Sequence, residues 1–110
     1  MAAGRRRVVW TPGARTDLDE AVEYISTDSP TAALTVLDRI LEVAASLAEL
    51  GDRGRILPEL EDPLIRELLS DPFRIVYRVT PEAVEILGIL HQRRDLKLWD
   101  RSELGPVNTS

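Results

Sequence analysis

Two stretches of this chain carry apolar residues at helical spacing, and four shorter ones read as strands. Residues 6–10, RRVVW, place β-branched and aromatic residues after a charged start and predict a first strand. Thr11-Pro12 follows as a helix cap with proline at the first helical position. In ARTDLDEAVEYIS, Ala14, Leu18, Val22 and Ile25 fall on one side. Asp17, Asp19 and Glu20 come early in this helix, where its positive end favours acids. Thr27-Asp28-Ser29-Pro30 breaks the pattern and repeats the cap logic. The next stretch, TAALTVLDRILEVAASLAEL, aligns Ala33, Leu37, Ile40, Ala44 and Leu47, with Val36 and Val43 beside them, and is expected to stop at Leu50-Gly51. The result is a helix hairpin whose apolar stripes need a sheet to cover.

Residues 51–63, GDRGRILPELEDP, form an irregular connection rich in glycine, proline and charge. The second strand is LIRELLS, followed by a turn at Ser70-Asp71-Pro72. The third, FRIVYRV, alternates: Phe73, Ile75, Tyr77 and Val79 face one way, and Arg74, Val76 and Arg78 the other. After a turn at Thr80-Pro81-Glu82, AVEILGIL is apolar on both faces apart from Glu85, which predicts a central strand. LKLWDR reads as a short helix or edge segment, and residues 104–110 as a frayed tail. The expectation is a single domain over 1–110 with its core at about 7–95. Trp10 and Trp99 read as structural, and a Tyr77 hydroxyl on an apolar face needs a partner.

Composition narrows the function classes. At 110 residues, 44% hydrophobic and 30% charged, the chain has enough apolar content for a core. It has no cysteine, which excludes disulfides and fits a reducing compartment. One histidine cannot build a multi-histidine zinc site. The apolar run after the first arginines is too short for a signal peptide, and no stretch approaches membrane-spanning length, so a cytoplasmic protein is expected. A net charge of −5 argues against a general nucleic-acid binder, although local basic patches remain compatible with it.

The candidate chemistry gathers at the end of the fourth strand, which delivers His91, Arg93 and Arg94. His91 suits general acid or base work, or the capping of a strand end by a backbone hydrogen bond. Arg93 and Arg94 suit bidentate binding of a phosphate or carboxylate, or exposed ion pairing with Asp95 or Glu85. Arg66, Arg74 and Arg78 lie on neighbouring strands. They read either as a basic surface or as one wet face of an antiparallel sheet, where Arg66 and Arg74 pair across strands with Glu67, Glu85 or Asp71. Arg55 and Glu59 flank Pro58 and are expected to fix the connection against the sheet by a salt bridge. On the hairpin, Leu34, Leu37, Val43 and Leu47 spread beyond one narrow stripe and predict a surface for a partner peptide. No phosphate-binding glycine loop, metal-ligand cluster or Ser/His/Asp arrangement is visible, and no cofactor is expected.

The ordered set VVWTPGARTDLDEAVEYI, GRILPEL, IRELL, FRIVYRV and VEILGILHQRRD resembles the RelE/ParE superfamily of bacterial type II toxins, over roughly residues 7–95. Gly54, Arg55, Pro58 and Glu59, then Arg66-Glu67, Tyr77-Arg78 and H-x-R-R-D are similar to the ParE branch. The resemblance implies an α/β (α+β) fold of order β-α-α-β-β-β, with the hairpin packed on a small, mainly antiparallel sheet. It implies a toxin, as in plasmid-stabilisation systems, that inhibits DNA gyrase through a surface including His91, Arg93, Arg94, Arg74 and Arg78. A cognate antitoxin would neutralise it, in a toxin–antitoxin hetero-oligomer. The ribosome-dependent RelE branch implies an mRNA endonuclease instead, with His91 moving the proton and Arg66, Arg78 and Arg93 at the phosphate. From that pattern the chain departs: no tyrosine follows Tyr77, and its one lysine is Lys97. A third reading is a relative that only binds its antitoxin.

Overall fold

A computed structural model describes residues 5–93. Arg94, Trp99, the LKLWDR segment and the tail lie outside the described residues. The elements run β1 (Arg7–Trp10), α1 (Pro12–Ser26), α2 (Pro30–Ser46), β2 (Arg55–Ile56), a 3-10 turn (Pro58–Leu60), β3 (Ile65–Ser70), β4 (Phe73–Val79) and β5 (Ala83–His91). The five strands form one sheet in the order β1-β5-β4-β3-β2. Only β1 and β5 run parallel; the other three pairings are antiparallel. This is the expected α+β architecture, with β5 in the interior. The two-residue strand β2 is an addition, placed in the segment expected to be irregular.

Both helices begin with the same device. Thr11 Oγ1 accepts a hydrogen bond from the Ala14 amide at 3.2 Å, Ser29 Oγ accepts from the Ala32 amide at 3.1 Å, and each cap is followed by proline. The Thr11 amide and hydroxyl also donate to the Ile86 carbonyl, so α1 starts where β1 leaves β5. Helix α2 ends at Ser46, earlier than the glycine stop predicted, and a turn carries the chain to Gly51.

The hairpin covers one face of the sheet. Ala14, Ile40, Ala44 and Leu47 from the helices meet Phe73, Ile75, Tyr77, Val84, Ile86 and Ile89 from the strands. On α1 the core stripe is Ala14, Leu18, Ala21 and Ile25; Val22, expected in it, is half-buried and lies off the core. A spacing of four, three and four keeps these residues on one line, and Val22 sits one step round the helix from Ala21.

The opposite face has a second core. Leu57 and Leu60, from the connection and its 3-10 turn, pack with Ile65, Val76, Leu87 and Leu90. A register shift makes this arrangement possible: Tyr77 faces Ile86 and Val76 faces Gly88, leaving Leu87 as the extra residue of β5. Leu87 and Leu90 therefore serve the second core, while Ile86 and Ile89 serve the first. The two-sided apolar character of β5 follows from these two coverings.

Tyr77 ties the layers together. Its hydroxyl donates to the Gly51 carbonyl and accepts from the Gly54 amide, both at 2.9 Å. This is the partner its buried position required. A Cβ on Gly54 would collide with that hydroxyl and with the Glu67 carbonyl, so the close approach needs glycine. Burial pushes the Tyr77 pKa above its ordinary 10.0, which keeps the donor proton in place.

Tyr77→Phe leaves the Gly54 amide and Gly51 carbonyl without their partner and is expected to lower unfolding stability by about 2 kcal/mol. A raised folded-state pKa contributes stability that is intact below about pH 10 and is lost as pH climbs toward the folded value. Denaturant midpoints measured across neutral and alkaline pH check both statements. The wild type should weaken at the alkaline end, and the phenylalanine variant, weaker at neutral pH, should lose less there.

Candidate functional site

The end of β5 is the first candidate. His91 pairs in register with Phe73, and the two rings meet edge to face with centroids 5.7 Å apart. His91 is exposed, and its Nδ1 accepts a hydrogen bond from the Arg93 amide at 3.2 Å. With Nδ1 accepting, the proton of the neutral ring belongs on Nε2. The strand stops at His91 and turns, with the Gln92 amide donating to the Pro72 carbonyl at 2.8 Å. Arg93 is exposed in the turn, and Arg94 lies outside the described residues.

The strand arginines do not form one surface with His91. In register, Arg66 faces Tyr77, on the helix side of the sheet, whereas Arg74 and Arg78 share the opposite side with Val76. The Arg66 guanidinium donates to the Gly54 carbonyl at 2.8 Å and the Asp52 carbonyl at 3.3 Å, and approaches the Asp52 carboxylate at 3.9 Å. It holds the connection. Arg78 is 8% exposed and pairs with Glu85 at 3.3 Å. Arg78 stands five residues along β4 from Phe73, roughly 16 Å at strand rise, so it is at the far end of the ladder from His91.

Glu67 organises the remaining charges. It is 6% exposed and takes Arg55 at 2.7 Å and Arg74 at 3.4 Å on its two carboxylate oxygens. Arg74 also donates to the Gln92 carbonyl at 2.8 Å. Arg55 fixes the connection against the sheet through Glu67, across the β2–β3 pair. Of the cross-strand pairs foreseen, Arg74–Glu67 forms, whereas Arg66 turns to the connection.

A groove of about 470 Å³ lies between α1 and the last residues of β5, lined by Glu20, Ala21, Tyr24, Phe73, Ile89 and His91 among others. It exists because β1 ends at Trp10 while β5 continues to His91. In place of the missing strand, the Asp17 carboxylate accepts from the Ile89 amide at 3.0 Å. Asp17 was read as a helix-end charge; its role here is to close an open sheet edge.

On the hairpin the four partner-facing candidates separate. Leu34 is 61% exposed, Leu37 and Val43 are half-buried, and Leu47 is fully buried in the first core. Leu47 thus offers no surface, because the turn after α2 brings it under the sheet-facing stripe. Leu41, seven residues from Leu34 and on the same helical line, is exposed, as is Tyr24 on α1. Leu41 was legible from that spacing but falls outside the inner stripe that drew attention. Among the described residues no cluster of metal-ligating side chains occurs, and no helix is long and apolar enough to cross a membrane.

A family model described as the ParE toxin of type II toxin–antitoxin systems, parDE, matches residues 8–96. The chain is 39% identical over 89 residues to Toxin RelE2 of Caulobacter vibrioides, covering 80% of this chain and 97% of that protein. It is 39% identical over 88 residues to Putative toxin Y4kP of Sinorhizobium fredii, covering 79% and 88%. Among solved structures, the chromosomal ParDE system of P. aeruginosa superposes with a TM-score of 0.66 at 30% identity, covering 79% of this chain and 96% of that one. The RelBE2 toxin–antitoxin complex of Mycobacterium tuberculosis superposes with a TM-score of 0.59 at 25% identity, covering 80% and 92%.

Asp17→Ala uncaps the Ile89 amide at the groove. It is expected to cost about 1 kcal/mol of stability and to speed hydrogen exchange at Ile89 more than at the amides of β4. Amide-resolved exchange measured by NMR checks this.

Proposed function

The chain belongs to the ParE toxin family of type II toxin–antitoxin systems, and from that premise we propose that it acts in the cytoplasm by binding DNA gyrase and stalling it after DNA cleavage. A cognate antitoxin neutralises it. The observation that carries the target choice is the separation of His91 from Arg66 and Arg78. Cutting RNA by 2′-hydroxyl attack needs a base, an acid and cations around one phosphate. Here Arg66 is tied to the connection, Arg78 is buried at the far end of the ladder, and both lie away from His91. Arginine is a poor base, since it almost never gives up its proton. Binding without turnover fits this arrangement better. The exposed His91 and Arg93 at the end of an interior strand are the proposed target surface, together with Arg94.

The relative named RelE2 supports a second reading, ribosome-dependent mRNA cleavage. Induction in cells separates the two. Gyrase poisoning predicts induction of the DNA-repair response with ribosome-bound mRNA intact. Codon-positioned mRNA cuts that vanish in His91→Ala would promote the nuclease. At matched expression, Arg93→Ala should reduce toxicity more than Arg5→Ala, because Arg5 sits in an exposed ion pair with Glu49, away from the end of β5.

For the antitoxin, the exposed line Leu34–Leu41 on α2 supports a contact with an apolar helical or extended segment. Leu34→Asp and Leu41→Asp should each weaken the complex by about tenfold or more while leaving the melting temperature of the toxin alone nearly unchanged. Leu47→Ala should instead lower that temperature, with a cost of about 3 kcal/mol. Titration calorimetry and thermal melts of the same variants provide the check.

A further inference from the structure

The turn that ends β5 hangs on one peptide unit, the one joining Gln92 to Arg93. Its amide, on Arg93, donates to His91 Nδ1 at 3.2 Å. Its carbonyl, on Gln92, accepts from the Arg74 guanidinium at 2.8 Å. The N–H and C=O of a trans peptide point in opposite directions, and here their partners come from opposite sides of the sheet. His91 pairs with Phe73 on the helix face, whereas Arg74 is one step along β4 and lies on the far face. Rotation of this plane changes ψ of Gln92 and φ of Arg93 together. Held at both ends, the plane sets the direction in which the Arg93 side chain leaves the turn.

Arg74 is itself anchored. Its other terminal nitrogen meets the buried Glu67 carboxylate at 3.4 Å, and 21% of its side chain is exposed. One planar fork thus serves an acid with one nitrogen and a main-chain carbonyl with the other. Arg74 stands beneath the exposed end of β5, on the side away from His91.

We propose that Arg74 is a positioning residue for target binding. It acts through the Gln92–Arg93 peptide, which aims Arg93, and it does not touch the target. The assignment rests on the reading of His91 and Arg93 as the gyrase-binding surface, and it names the residue that shapes that surface. It gives Arg74 a different part from the direct contact that the family resemblance implies.

The test is a double-substitution cycle read in affinity for purified DNA gyrase, with circular dichroism confirming that each variant is folded. Arg93→Ala and Arg74→Ala should each weaken binding by about tenfold. Combined, they should weaken it by no more than about twofold beyond Arg93→Ala alone, because Arg74 acts through the residue already removed. Hydrogen exchange of the free chain supplies a local readout. In Arg74→Ala the Arg93 amide should exchange about tenfold faster, while the amides of Ile75 and Tyr77 keep their wild-type rates. Should Arg74→Ala not fold, Arg74→Lys takes its place in the cycle. Lysine keeps a charge for Glu67 but has no fork to serve the carboxylate and the carbonyl together, so the same outcome is expected. Losses that multiply in the double variant mean that Arg74 touches the target itself, and they overturn the proposal. Wild-type affinity in the folded Arg74 variant overturns it too, as does an Arg93 amide that exchanges at the wild-type rate. A wild type that does not bind gyrase overturns the gyrase reading and the proposal with it, whereas the other three results overturn the proposal alone.

Discussion

The Tyr77 hydroxyl, held between the Gly51 carbonyl and the Gly54 amide, is the constraint on which the rest of the structure depends. It fixes where the chain leaves the helix hairpin and starts its path round the edge of the sheet. From that point Arg66 grips the carbonyls of Asp52 and Gly54, Arg55 reaches Glu67, and Leu57 and Leu60 settle on the far face. Each of these contacts needs the connection in one place. A hydroxyl bridging two main-chain groups in a dry setting is a strong way to specify that place, because leaving either group unpaired there is costly.

The two faces of the sheet divide the work. The helix face stores most of the apolar burial and presents His91 at its rim. The far face holds a small second core, bordered by ion pairs: Arg55 and Arg74 share Glu67, and Arg78 meets Glu85. The net charge of −5 is therefore a poor guide to the sheet. What matters locally is that the strand arginines are already occupied. That leaves the exposed end of β5, where His91 and Arg93 stand together at a turn that Arg74 braces through the Gln92 carbonyl.

Much of this was legible in the sequence, for physical reasons. The Thr-Pro and Ser-Pro starts, the helical stripes and the alternation in FRIVYRV are local signals, and the elements they predict formed close to where expected. Val22 was misplaced because two neighbouring positions on a helix fit nearly the same stripe, and packing against β5 selected Ala21. The second core was invisible because it depends on a register shift at Leu87 and on a connection folding under the sheet, neither of which leaves a periodic trace. Which arginine meets which acid was legible only in part: Arg74–Glu67 was among the expected cross-strand pairs, whereas the turn of Arg66 to the connection was not. Arg55 stands opposite Glu67 in register, a pairing across twelve residues that local sequence does not carry. Asp17 shows the same limit: its helix position is local information, whereas its contact with Ile89, 72 residues away, is set by where β1 stops.

We propose that this toxin acts on gyrase as a binder. The most direct measurement is a reconstituted supercoiling reaction with purified gyrase, relaxed plasmid and ATP, to which the purified chain is added. The account predicts that supercoiling falls and that cleaved plasmid accumulates with enzyme attached, both reversed by the cognate antitoxin. Unchanged gyrase activity, from the same preparation of chain that cuts mRNA on purified ribosomes, would contradict it.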